Sequence, residues 1–277
     1  MKGMLFDIQR ASTVDGPGFR TTVFFKGCNL RCAWCHNPES QSAVPQLLFY
    51  QERCTHCGLC KRVCPYGLKK CDLCGKCADA CPQEARSLCG MEYAVEDAMK
   101  KILPDRLFYQ TSGGGATFSG GECMLQLGFL KELLDSCKKE KIHTAVDTAG
   151  AVPWRSFEEI LPYTDMFLYD VKSMNSQRHK EYTGVGNEQI LENLSRLLQM
   201  QKRVWVRVPI IPGVNDTLEE MRALRAFLLA NGYPEKVELL PYHRMGEMKW
   251  KALGQKATLF NPPSAEQVDT LRNAVKP

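Results

Sequence analysis

The sequence predicts an α/β fold: a partial (β/α)6 TIM-like barrel interrupted by one small cysteine-rich insert. Short β-rich runs alternate with amphipathic helical stretches, which is the pattern of a parallel sheet covered by helices. Six such units are too few to close an eight-stranded barrel. Residues 50–90 break the alternation with a duplicated cysteine phrase, and a repeat this close marks a duplicated small module. The expected division is therefore 1–49 as the start of the barrel, 50–90 as the insert and 91–277 as the remainder.

In chain order, strands are expected at Phe19–Phe25, Ala116–Ser119, His143–Asp147, Met166–Val171, Val204–Ile210 and Lys236–Leu240. Each is a short run rich in β-branched and aromatic residues. Helical periodicity follows at about 93–103, 123–141, 153–161, 188–201, 217–231 and 264–275. A strand, a helix and a parallel strand in succession form a crossover that lays the helices on the outer face.

The bulk numbers exclude several classes. With 277 residues, 44% hydrophobic and 24% charged, the chain has a globular balance and length enough to bury a core. No apolar run reaches the roughly 18–20 residues of a membrane span. The opening MKGMLFDIQR carries charge within a few positions, unlike a signal peptide, so a cytoplasmic location and no membrane partner are expected. The net charge of +5 is mild and the basic residues are scattered, so no nucleic-acid partner is expected. A monomer is the expected state.

Cysteine is the outlier. There are fourteen, eleven of them from Cys28 to Cys81. In a chain without an export signal such density reads as metal ligation rather than a disulfide framework. The first group, GCNLRCAWCHNP at 27–38, spaces Cys28, Cys32 and Cys35 as C-x3-C-x2-C directly after a strand. Three thiolates can hold three irons of a four-iron cluster and leave the fourth open for a ligand. Zinc is the alternative, but a tetrahedral ion wants a fourth protein ligand, and the only near candidate, His36, adjoins Cys35.

Polar residues gather where a barrel fold binds ligands, at the C-terminal ends of the strands. Ser119-Gly120-Gly121-Glu122 follows the second expected strand, and Asp147-Thr148 ends the third. The fourth ends in Asp170 and Lys172, two apart and so on one face. The fifth carries Arg207 and the sixth ends near His243. Adjacent glycines let a backbone approach closely, whether to a ligand or in a tight turn. Lys172 and His243 can donate to an anion, whereas Asp147 and Asp170 suit an ammonium or a bound cation.

C-x3-C-x2-C with Trp34 before the last cysteine resembles the radical S-adenosylmethionine superfamily. The segments DGPGFRTTVFFKGCNLRCAWCHNPE, GGGATFSGGE, DTAG, YDVKSMN, EYTGV, PIIPGVND and LLPYHRMGEMKW, in order over about residues 6–263, narrow the resemblance to the glycyl-radical-enzyme activating enzymes. The resemblance implies an oxidoreductase that reductively cleaves S-adenosylmethionine at a [4Fe-4S] cluster on Cys28, Cys32 and Cys35. A 5′-deoxyadenosyl radical then abstracts a hydrogen from a glycine of a partner glycyl radical enzyme, with a flavodoxin or ferredoxin as electron donor. It further implies that Trp34, Cys35 and His36 lie at the adenine and that Gly120, Gly121 and Glu122 run along the methionine amine. Asp147, Thr148, Asp170 and the backbone near Leu168 would form a monovalent-cation pocket, and Asp15 to Gly18 would face the incoming glycine. Cys123 departs from the proline common after GGE and is read as a tolerated variant outside any cluster, whereas Cys89 and Cys137 are expected to be structural.

The insert carries CTHCGLCKRVCP at 54–65 and CDLCGKCADACP at 71–82, each the C-x2-C-x2-C-x3-C-P phrase of bacterial ferredoxins. Eight thiolates suffice for two auxiliary [4Fe-4S] clusters in a small ferredoxin-like domain. In ferredoxins the fourth cysteine of each run serves the other cluster. That would group Cys54, Cys57, Cys60 with Cys81, and Cys71, Cys74, Cys77 with Cys64, although the short connector Pro65–Lys70 leaves the uncrossed pairing open. His56 is expected to be exposed rather than a ligand. Such clusters would relay electrons to the triplet or help to dock the partner. Two other readings compete: a radical enzyme acting on a small molecule, and a non-catalytic iron–sulfur electron carrier, which leaves the triplet, GGE, Lys172 and His243 unexplained.

Overall fold

The computed structural model describes the whole chain, Met1–Pro277. The strands are β1 (Lys2–Ser12), β2 (Arg20–Phe25), β3 (Gln46–Phe49), β4 (Arg86–Cys89), β5 (Met91–Ala94), β6 (Gly115–Gly120), β7 (His143–Thr148), β8 (Met166–Asp170), β9 (Val204–Ile210) and β10 (Lys236–Pro241). The helices are α1 (Leu59–Val63), α2 (Lys76–Asp79), α3 (Val95–Ile102), α4 (Arg106–Ser112), α5 (Leu127–Lys139), α6 (Trp154–Ile160), α7 (Ser176–Thr183), α8 (Glu188–Gln199), α9 (Leu218–Asn231), α10 (Glu247–Ala252) and α11 (Ala265–Val275). None is long and apolar enough to cross a membrane.

Eight strands form one mostly parallel sheet in the order β10-β9-β8-β7-β6-β2-β1-β5. The pairs from β2 to β10 are all parallel. These six strands are the six expected ones, and each end agrees to within one residue. The sheet also contains β1 and β5, which the sequence reading did not anticipate, and both pair antiparallel. The reason lies in β1 itself: it buries only Gly3 and Leu5 fully, so its apolar period is too short to read. A separate two-stranded sheet, β3 with β4, pairs Gln46 with Cys89 and Phe49 with Arg86. Residues 50–85 are strung between its two strands.

The strands are buried on both faces, as a parallel sheet requires. Their outer faces put Phe25, Phe118, Val146, Phe167, Tyr169, Val206 and Val208 against the apolar sides of α3, α5, α6, α8 and α9. Helix starts follow local chemistry: Asn175, Thr217 and Ser264 each accept a hydrogen bond from a backbone N–H in the first turn of α7, α9 and α11. Gly184 ends α7 in the left-handed region.

Phe118 is wholly buried at the middle of the sheet, edge-on to Phe25 with ring centroids 6.3 Å apart. Phe118→Ala should cost about 3–5 kcal/mol of stability, read as a lowered urea midpoint with an unchanged transition slope.

Candidate functional site

The loop from Cys28 to Ser40 springs from the C-terminal end of β2 and is tied down on three sides. At its root Gly27 N–H donates to Ser40 O (2.7 Å) and Glu122 N–H to Gly27 O (2.8 Å). Along its middle Arg31 N–H and Ala33 N–H donate to Thr183 O and Tyr182 O at the end of α7 (2.7 and 2.9 Å). At its far end Trp250 Nε1–H of α10 donates to Cys35 O (3.0 Å), and Lys249 reaches Asn37 Oδ1 and Glu39 Oε1 (both 2.6 Å).

The loop walls a cavity of about 570 Å³ at the strand ends, lined by all three thiols of the triplet. Trp34, Cys35, His36, Gly120, Gly121, Asp147, Thr148, Asp170, Lys172, Arg207 and His243 also line it, so residues far apart in the chain meet there as expected. Glu122 does not. Its carboxylate is buried away from the cavity and accepts from Thr148 Oγ1 (2.8 Å), Ala149 N–H and Met124 N–H (both 3.2 Å). As placed, Glu122 braces the turn after β7, while Gly120 and Gly121 of the same segment line the cavity. The glycines also have a second reason to be glycine. A Cβ on Gly120, which sits at φ +114°, would collide with the backbone of Phe25, and one on Gly121 with Gly27 O. The close approach is first of all between two strand ends.

The cavity wall is charged and internally paired. Asp170 accepts from Lys172 Nζ (2.9 Å). Burial works against the Lys172 ammonium, yet Asp170 and the neighbouring thiols push its pKa up, so it stays protonated. Asp147 accepts from Ser119 Oγ (2.7 Å) and faces Arg207 at 3.5 Å. Burial pushes its carboxyl up to about 6, with Arg207 opposing. Arg207 also donates to Val14 O (2.7 Å), fastening the loop of Val14 and Asp15 to the cavity. The rings of His36 and His243 stack at 4.0 Å, and burial, then His243, pushes His36 down to about 4. Trp34 packs against Tyr182 and Phe260, both at 6.2 Å.

The donor set fits an iron–sulfur cluster. Burial pushes the thiols of Cys28 and Cys32 up to about 11 and 12 and that of Cys35 up as well, so thiolates there require nearby positive charge. No three His, Cys, Asp or Glu side chains converge as they would round a single ion. Two further cavities lie in residues 50–86. One, of about 240 Å³, is lined by Cys54, Cys57, Cys60 and Cys81; the other, of about 350 Å³, by Cys64, Cys71, Cys74 and Cys77. The four cysteines lining each cavity come from both copies of the duplicated phrase. His56 is exposed, and Cys89, Cys123 and Cys137 are buried.

Lys249 and Trp250 received no role from the sequence. MGEMKW was legible as a motif, but its contacts with the cysteine loop span more than two hundred residues, as in Trp250 with Cys35, and no local spacing reports them.

Residues 22–227 match the Radical SAM superfamily, and the chain belongs to it. The superfamily implies a [4Fe-4S] cluster and S-adenosylmethionine. A choline trimethylamine-lyase activating enzyme of Oleidesulfovibrio alaskensis is 41% identical over 98% of this chain and 93% of its own length. A trans-4-hydroxy-L-proline dehydratase activating enzyme of Clostridioides difficile is 39% identical over 98% of this chain and 95% of its own. Among solved structures, a domain of pyruvate-formate lyase-activating enzyme from Bacteroides vulgatus aligns with a TM-score of 0.51 at 32% identity, over 59% of this chain and 93% of that one. Within the superfamily the chain is a member of the glycyl-radical-enzyme activating enzymes.

Glu122 yields a pH test. Burial raises its folded pKa to about 7 from an ordinary 4.5. The folded state therefore keeps a proton that the unfolded chain has lost. The resulting stabilisation is complete below pH 4.5 and is lost as pH rises through about 7. Across that window the wild type should lose up to about 3 kcal/mol relative to Glu122→Gln, measured by urea unfolding at several pH values. Parallel pH profiles for the two proteins would exclude this.

Proposed function

We propose that Cys28, Cys32 and Cys35 hold one [4Fe-4S] cluster with an open iron, and that S-adenosylmethionine occupies the adjoining cavity to activate a partner glycyl radical enzyme. The observation that carries this is that Cys28, Cys32, Cys35, Lys172 and His243 all line one cavity of about 570 Å³, a size suited to a small-molecule cofactor. When bound, the cluster supplies the electron that cleaves S-adenosylmethionine, and the adenosyl radical released takes a hydrogen atom from a glycine of the partner. The chain's own part is to bind, to orient and to exclude water.

Lys172, held protonated, and His243 donate to the methionine carboxylate. Gly120 and Gly121 present bare backbone to the methionine amine. Trp34 and His36 form the side facing the adenine. Asp147, Thr148 and Asp170 take the ammonium or a monovalent cation, in balance with Arg207. That arginine fixes the loop from Asp15 to Gly18, which receives the glycine. The two relatives are named for a lyase and a dehydratase. Their similar identity to this chain points to recognition of the glycine-bearing segment rather than of the partner's own substrate.

In the same proposal the parallel strands are a partial (β/α)6 barrel, and residues 50–90 are a ferredoxin-like domain inserted in it. That domain holds two auxiliary [4Fe-4S] clusters with crossed ligation, supported by the two four-cysteine cavities. These relay electrons from a flavodoxin or ferredoxin toward the triplet. A physical link exists: Ala252 of α10 packs on Leu48 and Cys89 of the β3–β4 hairpin, while Trp250 of the same helix bonds Cys35 O. The protein works as a cytoplasmic monomer and engages neither nucleic acid nor membrane.

Cys32→Ser should reduce 5′-deoxyadenosine formation to background while keeping about two thirds of the iron, with product followed by chromatography. Cleavage persisting in that variant would refute the triplet assignment. Crossed ligation has its own check. Cys64→Ser should perturb the same paramagnetic signal as Cys71→Ser; sharing the signal lost in Cys60→Ser would mean uncrossed pairing.

A further inference from the structure

The first copy of the cysteine phrase and the connector after it concentrate positive charge. Residues 53–71 hold Arg53, Lys61, Arg62, Lys69 and Lys70 and no acidic residue, a charge of +5 that equals the net charge of the whole chain. All five are exposed. None is paired with a carboxylate, whereas Arg10, Arg106, Arg203, Arg207 and Lys249 elsewhere all are. The acids of the insert, Glu52, Asp72, Asp79 and Glu84, lie outside the stretch. A merely solvated face mixes both signs, because unpaired like charges repel one another.

Apolar side chains sit among these cations. Val63, Tyr66 and Leu68 are 38%, 43% and 38% exposed, and Lys70 Nζ lies over the Tyr66 ring at 5.7 Å. The strip also reaches both four-cysteine cavities. Lys61 and Leu68 line that of Cys54, Cys57, Cys60 and Cys81, and Leu68, Lys69 and Lys70 line that of Cys64, Cys71, Cys74 and Cys77. A small apolar centre with a charged rim suits a weak, fast-exchanging contact between electron carriers.

We propose that residues 61–70 dock an acidic one-electron carrier protein, whose electron enters the chain through the insert at this strip. The inference rests on the assignment of clusters to the insert cysteines. In each encounter the carrier is oxidised by one electron and an insert cluster is reduced by one, with no bond made or broken. Lys61, Arg62, Lys69 and Lys70 steer the carrier by charge, and Tyr66 and Leu68 give it an apolar seat close to the sulfurs. A nucleic acid also seeks positive charge, but the strip's place over two thiol cavities favours a redox partner.

The test uses the reconstituted full-length protein and a reduced flavodoxin of strongly negative net charge. Carbodiimide joins carboxylates directly to amines, so in the wild type it should link the flavodoxin to Lys61, Lys69 or Lys70, read by peptide mass spectrometry. Stopped-flow reduction by the flavodoxin should slow about tenfold or more in a Lys61→Glu, Arg62→Glu double variant and in a Lys69→Glu, Lys70→Glu double variant. Photoreduced deazaflavin, a small reductant that needs no docking surface, should reduce all three proteins at rates within about twofold of one another. Cross-links confined to other lysines would overturn the proposal, as would flavodoxin rates within about twofold of wild type in both variants. Equal slowing with deazaflavin would also overturn it, since the residues would then serve the clusters themselves. So would single-stranded DNA that shields these lysines from labelling where the flavodoxin does not. Where a variant fails to retain iron, the wild-type cross-links decide alone. A wild type holding only about four irons per chain would instead remove the insert clusters, and this inference with them.

Discussion

Gly121 N–H donates to Phe25 O and Glu122 N–H to Gly27 O, both at 2.8 Å, so the ends of β2 and β6 are joined beyond their regular pairing. The joint admits no side chains, because a Cβ on Gly120 or Gly121 would strike the backbone of Phe25 or Gly27. Gly27 then donates to Ser40, which closes the cysteine loop at its root. The position of all three thiols descends from this contact between two strand ends. Loosening it would move the thiols relative to Asp147, Asp170 and Lys172, which belong to strands further along the sheet.

The second constraint is charge. Lys172, Arg207, Asp147 and Asp170 all face one cavity with little access to water, and such groups are tolerated there only in pairs. Asp170 keeps Lys172 protonated, and Asp147 answers Arg207. The pairs hold an anion-binding group and cation-binding groups a few ångströms apart without neutralising the cavity as a whole. A zwitterionic ligand, with its own carboxylate and ammonium, is the natural complement of such a wall.

Helix α10 joins parts that the chain order keeps separate. It lies near the C-terminus, yet it contacts the cysteine loop through Lys249 and Trp250 and the β3–β4 hairpin through Ala252. The two strands that flank residues 50–85 are therefore linked to the triplet loop through α10.

The sequence by itself determined the six parallel strands, the triplet and its spacing, the duplicated cysteine phrase and most of the polar residues lining the cavity. These are local signals: periodicity, adjacency to a strand end, and fixed spacing on one turn. It did not yield β1, which buries two residues, or β5, which buries none, because such strands have no readable period. Only the tertiary structure decided that the Glu122 carboxylate accepts from Thr148 and that Trp250 holds Cys35. It also decided which four cysteines of the insert share each cavity. The physical reason is common to all of these. They depend on the direction a side chain takes once distant segments are packed, and that direction is set by burial and hydrogen-bond satisfaction over the whole fold rather than by neighbours in the chain.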